Sequence, residues 1–203
     1  GASVLGALPV AGRILRCLGY VPATSGAIAR CLRKPYPRNV TIILPGGIHE
    51  MFCIRPDIEI SATNLRTGFI EIAAQEKAVL VPGYMLGNSQ LYKVAEGTLG
   101  QLFDQLSRKL KLSATLFVGR WGTPLPYQRP LATAIGEPID MREVQDVGEG
   151  QRIWRVNLRR TYEENRAAFG WPTRELFFDG EQMPAQSANP LDSYGALPKL
   201  SKL

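Results

Sequence analysis

The run Val40-Thr41-Ile42-Ile43-Leu44-Pro45-Gly46-Gly47-Ile48-His49-Glu50 changes character at its midpoint. Its first five residues are apolar or β-branched without alternation, the pattern of a strand buried on both faces. A proline and two glycines then end it abruptly. Paired glycines let the backbone take positive φ and approach a ligand closely. Their N–H groups can cradle an anion or a developing oxyanion. Ligands of open α/β sheets collect beyond the carboxyl ends of the strands. Glu50 is therefore placed to accept hydrogen bonds or to hold a nearby base. A plain tight turn would use the same residues.

Outward from this run, strand-like and helix-like patterns alternate. Val10 to Leu18 has apolar residues at helical spacing, with Arg13 and Arg16 opposite. Thr24 or Ser25 can cap a helix reaching about Arg33, which Pro35 and Pro37 end. Ile54 to Ile60 is irregular. Leu65 to Glu76 is helical in period, with Phe69, Ile72 and Ala73 on one side, and Val79-Leu80-Val81-Pro82 reads as a second buried strand. Thr98 to Leu110 predicts an amphipathic helix, Leu131 to Ile135 a third strand, Ile153 to Phe169 a long helix and Glu175 to Phe178 a short strand. The expected architecture is α/β: a layered domain with a central mixed sheet flanked by helices. It spans 1–180, and 181–203, rich in Pro, Ser, Ala and Gly, reads as a flexible tail.

The 203 residues suit one domain, with 45% apolar and 21% charged residues, so a disordered chain is excluded. No stretch reaches the roughly 18 apolar residues that a membrane-spanning helix needs. The net charge is +6, and the first sixty residues set Arg13, Arg16, Arg30, Arg33, Lys34, Arg38 and Arg55 against Glu50, Asp57 and Glu59. Such a surface attracts anions, whether nucleic acid, anionic lipid or a phosphorylated cofactor. Beyond Arg108 to Lys111 there is no basic cluster of the kind nucleic acid requires, so no nucleic-acid partner is expected. Cys17, Cys31 and Cys53 have no metal-site or redox spacing, and no metal is implied. His49 is the single histidine. Trp121 and Trp171, beside glycine and proline, are expected at the surface, where tryptophan favours a membrane interface.

Arg66 in Asn64-Leu65-Arg66-Thr67-Gly68-Phe69 stands near a helix N-terminus, suited to a phosphate or simply to solvent. Leu125-Pro126-Tyr127-Gln128-Arg129-Pro130 is a rigid loop, either a ligand contact or a conformational lock.

Taken in order, these pieces resemble the diacylglycerol acyltransferase type 2 family, which includes monoacylglycerol and wax-alcohol acyltransferases. The likeness runs from Ala2 to about Phe178. It is carried by Ala2-Ser3-Val4-Leu5 with Leu18-Gly19-Tyr20-Val21-Pro22-Ala23, by Pro45 to Glu50, and by Leu65-Arg66-Thr67-Gly68-Phe69 with Val79 to Tyr84. Gly87-Asn88 with Leu91-Tyr92-Lys93, and Leu125 to Pro130 with Ile135-Gly136-Glu137-Pro138-Ile139, complete it.

The resemblance implies an acyl-CoA-dependent O-acyltransferase acting on diacylglycerol to make triacylglycerol. Acyl-CoA would be a co-substrate, with no bound cofactor. Diacylglycerol or a related lipid would be the acceptor, with a membrane surface as partner. It implies a catalytic role for Glu50, and substrate contacts from Gly46, Gly47, Arg66, Gly68, Asn88 and Arg129. The family's His-Pro-His-Gly motif is absent, and His49 does not replace it by pattern. Two expectations follow: an N-terminally truncated portion whose histidine lies upstream, or a non-catalytic lipid- or CoA-binding relative. The family association is with the endoplasmic reticulum membrane or lipid droplets. Ser201-Lys202-Leu203 would be a peroxisomal address at a free terminus.

Overall fold

A helix satisfies its own backbone, whereas a strand must find a partner, and that difference organises the chain. The computed structural model describes residue 13 and residues 17–46, 50, 55, 57–63, 66–94, 117–123 and 125–184. Its elements are mixed α and β. In chain order they are α1 (Ser25–Leu32), β1 (Glu59–Ser61), α2 (Gly68–Gln75), β2 (Val79–Leu80), β3 (Gly83–Leu86), β4 (Lys93–Val94), β5 (Phe117–Val118), β6 (Ala132–Ile135), β7 (Ile139–Asp140), α3 (Val147–Phe169) and β8 (Leu176–Phe178).

The described strands form four two-stranded ladders. β1 runs parallel to β8, with Glu59 opposite Leu176 and Ser61 opposite Phe178. β2 and β3 run antiparallel to β7 and β6, making one ribbon. Val81 and Pro82 face Gly136, Glu137 and Pro138, so the second strand carries one extra residue, a bulge that adds twist. Gly136 N donates to Pro82 O at 2.8 Å across it.

α3 is the frame. Its buried residues Gly150, Trp154, Leu158, Thr161 and Tyr162 recur at helical spacing on one face. Trp154 and Leu158 pack with Ile70, Ile139, Met141 and Phe178, and Tyr162 packs with Leu86, Ala134, Trp171 and Leu176. One helix thus holds α2, the ribbon and β8 together. It begins at Val147, earlier than the expected Ile153, because Asp146 and Glu149 form a capping pair. Asp146 Oδ1 accepts from Glu149 N, and Glu149 Oε2 accepts from Gln145 N, both at 2.8 Å.

Thr24 caps α1 as the sequence predicts, its hydroxyl accepting from Ala27 N at 3.4 Å. Arg33, at the end of α1, forks onto Glu76, at the end of α2, at 2.7 and 2.5 Å.

Three expectations are corrected. Val40 to Leu44 is not a buried strand: it carries no ladder, and Ile42 is 89% exposed. A β-branched run becomes a strand only where a neighbour takes its N–H and C=O groups, and none of the described ladders includes it. Val79 and Val81 are about half exposed, because α2 and α3 cover the face of the ribbon that carries Leu80 and Tyr84 and the two valines alternate to the other. Trp171 is buried against Phe169, ring centroids 4.7 Å apart, whereas Trp121 is exposed as expected. The helices expected over Val10 to Leu18 and Thr98 to Leu110 lie wholly or largely outside the described residues. So do His49, Cys53 and most of the tail. Among the described residues, no helix is long and apolar enough to cross a membrane.

Candidate active site

The parallel pair β1 and β8 ends at Ser61 and Phe178, and the backbone locks the two ends together: Asp179 N donates to Ser61 O at 3.1 Å. Glu50 sits at this carboxyl end. Its Oε1 accepts from Ala62 N at 2.8 Å and from Ser61 Oγ at 3.2 Å. Ser61 Oγ also meets Thr63 Oγ1 at 3.2 Å. Gly46 is buried directly against the carboxyl group, and a Cβ at that position would overlap the Glu50 carboxyl carbon and both oxygens. A hydrogen atom at position 46 is therefore what lets Glu50 fold back on the turn and reach β1.

Burial pushes the Glu50 carboxyl above its ordinary range. The N–H of Ala62, the hydroxyl of Ser61 and the positive charge of Arg66 act the other way, and Asp179 adds to the upward push. The site thus unites Gly46 and Glu50 with the field of Arg66. Arg66 itself is exposed, and its N–H donates to Thr63 O at 3.2 Å. Gly68 opens α2 in open space, since a Cβ there would meet nothing within 4 Å. Gly47 lies outside the described residues.

About 7 Å back along β1, two residues of strand rise, a second polar group is buried. Glu59 is 5% exposed and Arg174 7%. Arg174 Nη2 lies 2.6 Å from Glu59 Oε1. Tyr84 Oη donates to Glu59 Oε2 and Ser89 Oγ to Oε1, each at 2.7 Å. Arg174 also reaches the carbonyls of Arg55 and Ile58, and its guanidinium stacks 4.6 Å over Trp171. Burial and the adjacent Glu59 carboxylate raise the Tyr84 phenol well above its usual value. A buried pair held by this many partners specifies one geometry.

Asn88 and Arg129 lie on this side. Asn88 is exposed in a short 3₁₀ turn (Asn88–Gln90) after Gly87, whose φ is 91°. Any Cβ on Gly87 would overlap the carbonyl oxygen of Pro130, the residue after Arg129. The close approach at Gly87 brings those two segments together. Two loci result along one strand: Glu50 in the field of Arg66, and Glu59 with Tyr84, Ser89 and Arg174.

Sequence reasoning missed Glu59, Ser61, Tyr84, Ser89 and Arg174. In Ile58-Glu59-Ile60-Ser61, alternation invites Ile60 inward and Glu59 outward. The structure buries Glu59 because Arg174 arrives from over a hundred residues later. The polar alternation Glu59, Ser61, Thr63 was the only local signal. Two concave grooves flank α3 and β8, and neither is lined by Gly46, Glu50 or Arg66. Among the described residues no cluster of His, Cys, Asp or Glu is arranged to hold a metal ion.

Mixed α/β order, with a glycine-backed carboxylate at parallel strand ends, defines a class of α/β proteins with a polar corner of this kind. A family profile for diacylglycerol acyltransferase matches residues 6–174, and the chain belongs to that family. It is 28% identical over 189 residues to human diacylglycerol O-acyltransferase 2-like protein 6, covering 83% of this chain and 56% of that protein. It is 28% identical over 185 residues to human diacylglycerol O-acyltransferase 2, covering 83% and 47%. With bovine 2-acylglycerol O-acyltransferase 1 the identity is 26% over 182 residues, covering 82% and 54%. The chain spans about half the length of these curated relatives. No solved structure matches it.

Proposed function

We propose that this chain is part of an acyl-CoA-dependent O-acyltransferase that transfers a fatty acyl group to diacylglycerol, giving triacylglycerol. The observation that supports it most is the Glu50 carboxyl, packed on Gly46 at the strand ends in a chain of this family. In the reaction, the acceptor hydroxyl gives its proton to a general base and its oxygen attacks the thioester carbonyl. The C–S bond then breaks, and the CoA thiolate leaves and takes up a proton. Glu50 orients that base or accepts its hydrogen bond, and the glycine corner supplies N–H donors to the oxyanion. Arg66, Asn88 and Arg129 meet the polar parts of the substrates. The base itself is assigned to no residue of this chain.

The fold reading extends to a layered acyltransferase domain with a central mixed sheet flanked by helices. A membrane surface is the expected partner at Trp121, which is 78% exposed with φ 55°, a conformation that costs a tryptophan strain. Residence at the endoplasmic reticulum or lipid droplets follows from the family, with the peroxisome as alternative from Ser201-Lys202-Leu203. A second reading is a non-catalytic lipid- or CoA-binding relative, in which the Glu50 carboxyl packed on Gly46 would only hold the polar corner together.

The test uses the natural polypeptide that contains this sequence, with radiolabelled acyl-CoA and diacylglycerol, monoacylglycerol or a long-chain alcohol. Glu50→Gln is expected to lower turnover by about 100-fold or more, as for loss of a group in proton transfer, while folded yield holds. Arg66→Ala should raise KM for acyl-CoA. Unchanged kinetics in both variants would remove the site assignment, and CoA binding without turnover in the wild type would establish the second reading.

A further inference from the structure

The outer face of α3 does something different from its buried face. Arg152, Arg155, Arg159 and Arg160, with a single acid, Glu163, line a groove of about 530 Å³ whose floor is Phe178. That volume is in the range of small-molecule sites, roughly 300–1,000 Å³. Four guanidiniums converge on it, and the structure shows how two are aimed. Glu181 grips Arg155 at 2.8 Å and Arg159 at 2.7 and 2.6 Å. Held this way, the two guanidiniums stack 4.8 and 5.1 Å over the Phe178 ring.

The donors are not used up. Arg155 Nε is buried with no hydrogen-bond partner among the described residues. Arg152 has no carboxylate partner among them either. Arg160 pairs with Glu137 on open surface, where such a pair is worth little and yields readily to a better anion. Guanidinium forks match phosphate oxygens two at a time. The floor of the groove also leads to the other site: Phe178 ends β8, and the next residue, Asp179, acts on the Glu50 carboxyl.

We propose that the arginine groove of α3 binds a phosphate-bearing small molecule of nucleotide size, the CoA half of an acyl thioester, whose flexible arm runs past the end of β8 toward Glu50. The ligand's identity rests on the acyl-CoA reading above. Concavity favours a small molecule over a lipid surface: the guanidiniums of Arg152, Arg155, Arg159 and Arg160 line an open groove rather than a flat basic face, with the buried Phe178 ring packed beneath those of Arg155 and Arg159.

Radiolabelled CoA, 3′-dephospho-CoA and inorganic phosphate would be measured against the natural polypeptide that contains this sequence by equilibrium dialysis at two salt concentrations, and phosphatidylserine vesicles by co-sedimentation. The variant Arg152→Ala/Arg160→Ala removes two exposed side chains, and Lys34→Ala/Arg142→Ala, which removes two exposed bases outside the groove, is the charge-matched control. The double variant is expected to bind CoA at least tenfold more weakly with an unchanged melting temperature. The control should bind as the wild type does, and added salt should weaken wild-type binding. Equal CoA affinity in wild type and double variant would overturn the groove and leave the acyltransferase reading standing. Loss of binding to the vesicles with CoA affinity intact would overturn it in favour of a lipid surface. Kinetics that are insensitive to Glu50→Gln would remove the Glu50 assignment and leave the dialysis result untouched.

Discussion

α3 and the segment from Val40 to Leu44 carry two of the strongest patterns in the chain, and their outcomes are opposite. α3 buries Trp154, Leu158 and Tyr162 in two clusters of the core. The segment leaves Val40, Ile42 and Leu44 between 70% and 89% exposed. The helix closes its own hydrogen bonds, so its period needs only an apolar surface to meet. The extended run needs a second strand before its side chains have a sheet to stand on. An apolar pattern is thus a demand for burial, and secondary-structure type decides whether the chain can meet it locally.

The contrast fails if the helix face is not where the stability lies. Trp154→Ala is expected to cost about 3–5 kcal/mol, the range for deleting a buried aromatic, measured by urea unfolding. A loss below about 1 kcal/mol, ordinary for a surface position, would place the core elsewhere.

Gly46→Ala probes the border between the two regions. The new methyl must displace the Glu50 carboxyl, at about 1–3 kcal/mol, the usual cost of overpacking. Glu50→Ala should relieve most of that cost, and the double-mutant cycle should show coupling. Additive effects would mean that the carboxyl does not rest on Gly46.

Glu50→Gln isolates the electrostatic side. The folded carboxyl holds its proton more tightly than the unfolded one. Folding therefore binds protons at this residue, and its contribution to stability falls as pH rises from the ordinary carboxylate range through the raised folded value. The wild type should lose stability relative to Glu50→Gln over that window and run parallel to it above. A difference that grows as pH falls would reverse the assignment.

The smallest effect belongs to the exposed run. Ile42→Ala should change stability by no more than about 0.5 kcal/mol, as for an isolated surface position. A cost near that of Trp154→Ala would show that the run is covered in solution.

Much of the site is legible in the sequence. Gly46 and Glu50 belong to one block of the chain and Arg66 to another, and the fold brings the charges of Glu50 and Arg66 into range. The glycine-rich turn is visible because backbone freedom is a property of the residue itself. Glu59, Tyr84, Ser89 and Arg174 are not, because each side chain taken alone reads as surface or core. Their burial is tolerable only when all four meet. The arginine groove is hidden in the same way. The bases of α3 stand in the sequence, but their convergence on Phe178 depends on Glu181.

Local chemistry was enough to set α1, α2 and most of α3, the Thr24 cap and the family to which the chain belongs. Those features depend on neighbours within a few residues or on ordered motifs along the chain. Tertiary structure alone decided which apolar run lies buried, which tryptophan is hidden, and which carboxylate carries a proton above its usual range. Each of these is set by dielectric and by partners contributed from distant parts of the chain, and no local pattern encodes them.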